Sequence, residues 1–140
     1  MLRELAAAGV RIGLISNSHR CLASFESHFE LRGLIAAAVS SSDHGFLKPH
    51  PSIFHTALQM VHVPAADAVM VGDNVRQDIE GALAVGMRAV LLRRDEVPHA
   101  RAADLAAAGV PVLRSLRDLR AAMVQLANYP TTQLPNHPIS

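Results

Sequence analysis

Five short apolar runs, each followed by a polar loop and then a stretch of helical periodicity, limit this chain to an α/β architecture. The runs are 10–15 (VRIGLI), 34–39, 68–71, 88–92 and 110–113. Short runs without polar alternation are typical of strands covered on both faces, as in parallel sheets. Between them the apolar residues recur at helical spacing. Helices are expected over 2–8, stopped by Gly9, over 19–31, stopped by Gly33, and over 51–61, with Pro51 in the first turn. Further helices are expected over 75–85, stopped by Gly86, over 101–108, and over 116–127. In the second helix Cys21, Leu22, Phe25 and Phe29 should form the buried face; in the third, Ile53, Phe54, Ala57, Leu58 and Val61 should. Strands alternating with helices predict a doubly wound parallel sheet. Residues 1–128 form the expected core, and 129–140, rich in proline and lacking periodicity, the expected disordered tail.

Composition narrows the function. Half of the 140 residues are apolar and 18% are charged, which suits one globular domain. A formal net charge of +1 gives no reason to expect nucleic acid or an anionic membrane as partner. No apolar run reaches the roughly 18 residues of a membrane span, and the N-terminus lacks the plan of a signal peptide. The single cysteine, Cys21, has no partner for an internal disulfide or a zinc knuckle and is expected to be structural. A cytoplasmic location follows as the expectation. One bias stands out: of 13 basic residues, 12 are Arg and only Lys48 is Lys. An ammonium is a compact point charge and a guanidinium a planar fork, so the exception is a candidate for function as well as for chance.

In parallel α/β sheets, chemistry gathers in the loops at the carboxyl ends of strands, and three polar loops fall there. Ser16-Asn17 could donate to a phosphate together with backbone N–H groups, or could simply cap the next helix. Lys48, ahead of Pro49-His50-Pro51, could neutralise a phosphoryl group or an adjacent carboxylate, or be a solvated surface lysine. Asp73, directly after an apolar strand and Gly72, could hold Mg²⁺ with its oxygens. Asp78, in the first turn of the following helix, could assist it or stabilise the helix N-terminus, and Asn74 reads equally well as an N-cap. His50 and His55 do not share a helix face, so no histidine metal site is expected.

Taken together and in this order, LISN with Ser16, LKPHPSIF with Lys48, and Gly72-Asp73 with Asp78 resemble motifs II, III and IV of the haloacid dehalogenase-like hydrolase superfamily. The continuation EGALAVGMRAVLL, with Gly81, Gly86 and Met87, is similar too, and the resemblance runs unbroken over residues 1–95. It implies a Rossmann-like core and a Mg²⁺-dependent phosphatase of a small phosphorylated metabolite. Ser16, Asn17 and Lys48 would then bind the phosphoryl group, with Ser16 and Lys48 in the catalytic set, and Asp73 and Asp78 would bind the metal. The acidic pair argues against the metal-free dehalogenases of the same family.

The resemblance also implies an Asp-x-Asp nucleophile motif at the end of a central strand, and a cap domain. No Asp in this sequence has another Asp two residues later. The expectation is therefore a C-terminal portion of the core, incomplete for want of that strand and inactive by itself. Three outcomes stay open: the half-sheets close up, another polypeptide fills the gap, or the chain is a piece of a longer protein. Unpaired edges would favour self-association. The competing reading is a truncated, non-catalytic module that binds phosphate or a partner chain.

Overall fold

The computed structural model describes residues 1–20 and 22–128; Cys21 and the expected tail at 129–140 lie outside the described residues. The chain divides into two compact units, Met1–Pro64 and Ala65–Ser140. Among the described residues all strand pairing is parallel, as expected for an α/β fold, and it is distributed over two sheets.

In the first unit, helix α1 (Leu2–Ala7) leads through Gly9, at φ +84°, into β1 (Ile12–Ser16). After α2 (Leu22–His28) the chain forms β2 (Ile35–Ser40), which pairs with β1 from Ile12↔Ile35 to Ser16↔Ser40. Both strands thus end level with each other, and their loops leave from the same edge. A short α3 (Ser41–His44) takes up part of what the sequence suggested was loop. Ser40 accounts for it: its Oγ accepts the Asp43 N–H at 3.2 Å and donates to Asp43 Oδ2 at 2.6 Å, a capping arrangement that satisfies an orphan donor of the first turn. Helix α4 (Pro51–Val61) covers β1 and β2 and buries Ile53, Phe54, Ala57 and Leu58, four of its five expected core positions. Its C-terminal carbonyls are held by Arg11, whose guanidinium donates to Val61 O at 2.7 Å and His62 O at 3.2 Å.

The second helix departs from expectation. It is shorter than 19–31 and buries none of its residues. Phe25 and Phe29 are 44% and 56% exposed; their ring centroids lie 4.6 Å apart, and His28 meets Phe29 edge-on at 4.8 Å. Helical spacing gathered the two rings on one side, but spacing cannot say whether anything covers that side.

In the second unit, β3 (Val69–Gly72), β4 (Arg88–Leu92) and β5 (Val112–Leu113) form a sheet in that order. β4 is central and supplies Ala89, Val90 and Leu91, all essentially inaccessible. Ile79 and Ala82 pack from one connection. Leu105 comes from α6 (His99–Ala107), and Leu119, Ala122 and Leu126 from α7 (Leu119–Ala127). The helix expected over 75–85 is instead a π-helical turn, Val75–Glu80, continuing as α5 (Gly81–Ala84). The widening starts at Asn74, whose carbonyl accepts from both Asp78 N at 2.9 Å and Ile79 N at 3.3 Å. Gly86, at φ +84°, closes the helix as expected. No helix among the described residues is long and apolar enough to cross a membrane.

Candidate functional site

The first polar group lies at the carboxyl end of β1. Because β1 and β2 end in register, Ser16 stands opposite Ser40. The loops that follow are tied together: Ser41 Oγ donates to Ser18 O at 3.4 Å. The principal tie is between Asn17 and Lys48. Asn17 Oδ1 accepts the Lys48 N–H at 2.7 Å, and Asn17 Nδ2 donates to the Lys48 carbonyl at 3.1 Å. The Lys48 ammonium in turn donates to Ile15 O at 3.1 Å. Three residues marked out in the sequence as one group, Ser16, Asn17 and Lys48, are thereby brought together on one strand end. Lys48 is half-buried and hydrogen-bonded, not a freely solvated lysine.

A histidine cluster flanks Lys48 in the chain, with His44 before it and His50 after it, and sequence reasoning missed it. His44 Nε2 and His50 Nδ1 each lie 2.8 Å from Ser52 Oγ, and the Phe46 ring stacks on His50 with centroids 4.1 Å apart. His50 also caps α4 by accepting the Ser52 N–H at 3.3 Å. The serine joins His44 and His50, a pair that sequence reasoning did not consider. The only signal was a His-Pro-Ser sequence at a helix start, which reads as a cap.

The second polar group lies at the carboxyl end of β3. Asp73 is exposed, immediately beyond Gly72. Asp78 is 4% exposed, and its Oδ2 accepts the Asn74 N–H at 3.0 Å, so the side chain folds back from the π-helical turn over the strand end. Asn74 completes the turn by accepting the Gln77 N–H at 2.8 Å, the capping role its sequence position suggested. Glycine at 72 has a definite cause here: a Cβ at this position would overlap the Oδ2, Cγ and Cβ atoms of Asp78. The packed carboxylate of Asp78 is a constraint that the sequence position of the glycine does not reveal. Gly72→Ala is therefore expected to destabilise the fold by about 1–3 kcal/mol, the usual result of forced overpacking. A urea midpoint within error of wild type would refute that account of the glycine.

These residues fit a hard divalent cation. The Gly72 cradle brings Asp78 back to the strand end that carries Asp73, and carboxylate oxygens are the donors that Mg²⁺ takes alongside water and substrate oxygens. Among the described residues no three His, Cys, Asp or Glu are grouped to hold a metal by themselves. Asp73 and Asp78 would thus make up part of a coordination shell.

The described strands pair in parallel, and polar residues follow β1 and β3 at their carboxyl ends, the arrangement of a hydrolase core of the α/β class. A family model described as HAD-hydrolase-like matches residues 46–119, and the chain belongs to that family. It is 37% identical over 91 residues to the human haloacid dehalogenase-like hydrolase domain-containing protein 3, covering 65% of this chain and 36% of the relative. It is 38% identical over 91 residues to the glyceraldehyde 3-phosphate phosphatase of Pyrococcus abyssi, covering 64% and 37%. Among solved structures it resembles a HAD family hydrolase from Deinococcus radiodurans R1 with bound phosphate and sodium. That likeness has a TM-score of 0.70 at 31% identity and covers 90% of this chain and 57% of that one. The chain spans little more than a third of the length of these curated relatives.

Proposed function

We propose that this chain contributes the phosphate-binding and metal-binding loops of a Mg²⁺-dependent, cytoplasmic phosphomonoesterase acting on a small phosphorylated metabolite. The observation that carries the reading is the stitching of Lys48 to the end of β1, by its backbone to Asn17 and by its ammonium to Ile15, immediately beside Ser16. A half-buried ammonium held at the strand end that carries Ser16 is a preorganised binder of phosphoryl oxygens, effective because it does not have to reorganise as charge develops. A relative that is a phosphatase and a structural neighbour with bound phosphate support the same chemistry.

In this reading the Ser16 hydroxyl and the Lys48 ammonium hold and orient the phosphoryl oxygens, and Asn17 belongs to the same group. Asp73, supported by Asp78, holds Mg²⁺, which when bound supplies charge that offsets the anionic phosphoryl group. The pair Gly72-Asp73 and Asp78 favours this metal-dependent route over dehalogenation. An aspartate outside these 140 residues forms an Asp–O–P bond as the ester P–O bond breaks, and the second aspartate of the same motif gives the leaving oxygen its proton, so that it departs as the alcohol. Water then cleaves the acyl phosphate, returning the carboxylate and releasing inorganic phosphate.

The test is turnover of p-nitrophenyl phosphate with Mg²⁺. The 140-residue chain alone is expected to show none above background, since loss of a covalent nucleophile removes the main route. A polypeptide that places an Asp-x-Asp strand ahead of it is expected to be active. Turnover by the chain alone that survives repurification and disappears with Asp73→Asn would show that the nucleophile is among these residues. An inactive longer polypeptide that still binds phosphate would favour a binding module.

A further inference from the structure

Asn17 was expected to touch the phosphoryl group, yet both ends of its amide are turned to Lys48. The two hydrogen bonds run in opposite senses, from Lys48 N–H to Oδ1 and from Nδ2 to the Lys48 carbonyl, as one strand residue pairs with another. The backbone partners fix which end of the amide is oxygen, so the arrangement does not depend on an arbitrary amide orientation. The bond from the ammonium to Ile15 O runs the other way, from the loop back to the strand. Residues 15–17 and residue 48 are thereby joined across 31 positions of sequence.

We infer that Asn17 is a positioning residue: it fixes the backbone of Lys48 so that the ammonium reaches the strand end beside Ser16, and it acts on a phosphoryl ligand through Lys48. The inference rests on the phosphatase reading for its ligand and on the hydrogen bonds alone for the clamp. Asparagine suits the task because it carries an acceptor and a donor on one planar group. Aspartate keeps the acceptor and loses the donor, and alanine loses both. The stem of lysine is long and flexible, so a head group that must arrive at one place needs its backbone held.

The experiment uses the 140-residue chain, with amide hydrogen exchange at Lys48 and titration with inorganic phosphate followed by NMR. Asn17→Ala is expected to speed exchange of the Lys48 amide by roughly five- to tenfold, the worth of one net hydrogen bond, and to weaken phosphate binding. Asn17→Asp is expected to keep most of the amide protection, because the acceptor survives. In a Lys48→Ala background, Asn17→Ala should change phosphate affinity by less than about twofold, or find no binding left to lose, as coupled residues do. An equal loss in both backgrounds would mean that Asn17 touches phosphate directly and would overturn the inference. So would unchanged Lys48 exchange in Asn17→Ala, or protection lost as fully in Asn17→Asp as in Asn17→Ala. Failure of the unmutated chain to bind phosphate would overturn the phosphatase reading and Asn17's role in it. The exchange data would still report separately whether the clamp exists.

Discussion

Asp73→Asn is expected to lower phosphomonoester turnover by about 10³-fold in a polypeptide that also carries the Asp-x-Asp strand, the scale on which a bound metal stabilises phosphoryl charge. Asp78→Asn is expected to cost less, about 10- to 100-fold, as supporting residues of metal sites do. The ranking follows from placement. Asp73 is exposed at the end of β3, where an ion can reach it. Asp78 is almost wholly buried, and one of its oxygens is engaged by the Asn74 N–H. An asparagine at 78 can still accept that hydrogen bond, so its defect should respond to added Mg²⁺, whereas the Asp73 variant should recover little. Rates measured across a Mg²⁺ titration check both statements, and the reverse ranking would exchange the roles of the two carboxylates.

Lys48→Arg is expected to cost about 10²-fold in kcat/KM although the charge is kept. A guanidinium is bulkier, holds its donors in a rigid fork, and cannot occupy the place where the ammonium meets Ile15 O at 3.1 Å. A displacement of roughly 1 Å in a positioning group is enough for a loss of that size. The backbone bonds from residue 48 to Asn17 do not depend on the side chain, so the urea midpoint should move little. Near wild-type kinetics in the arginine variant would show that only the charge matters. A large loss of stability would mean that the side chain is chiefly structural.

The strands and their parallel pairing could be read from the sequence because continuous apolar runs such as those leading to Ser16 and Gly72 leave few other folds available. The candidate site residues stood out for a related reason: Ser16, Asn17 and Asp73 follow apolar segments where sheet geometry puts chemistry, and Lys48 is the one lysine of the sequence. What could not be read depends on contacts between residues far apart in the chain. Nothing in spacing says that the Asn17 amide spends itself on Lys48, or that Ser52 lies between His44 and His50. The exposure of Phe25 and Phe29 was hidden for the same reason, since amphipathic periodicity is silent about what lies opposite. The π-helical turn was invisible because it arises from one carbonyl shared by two donors.

The packing of Asp78 against Gly72 also makes a statement about sequence drift. A side chain at position 72 and a carboxylate at position 78 cannot both occupy the space they need, so the two positions should vary as a linked pair. A homologous chain that acquires any residue other than glycine at 72 has to give up the acid at 78 or reroute the turn between them. Single steps from this state are blocked in one direction only: the acid can be lost while the glycine stays, but the glycine cannot be lost first without cost. Lineages that lose both residues should therefore show the substitution at 78 earlier than the one at 72.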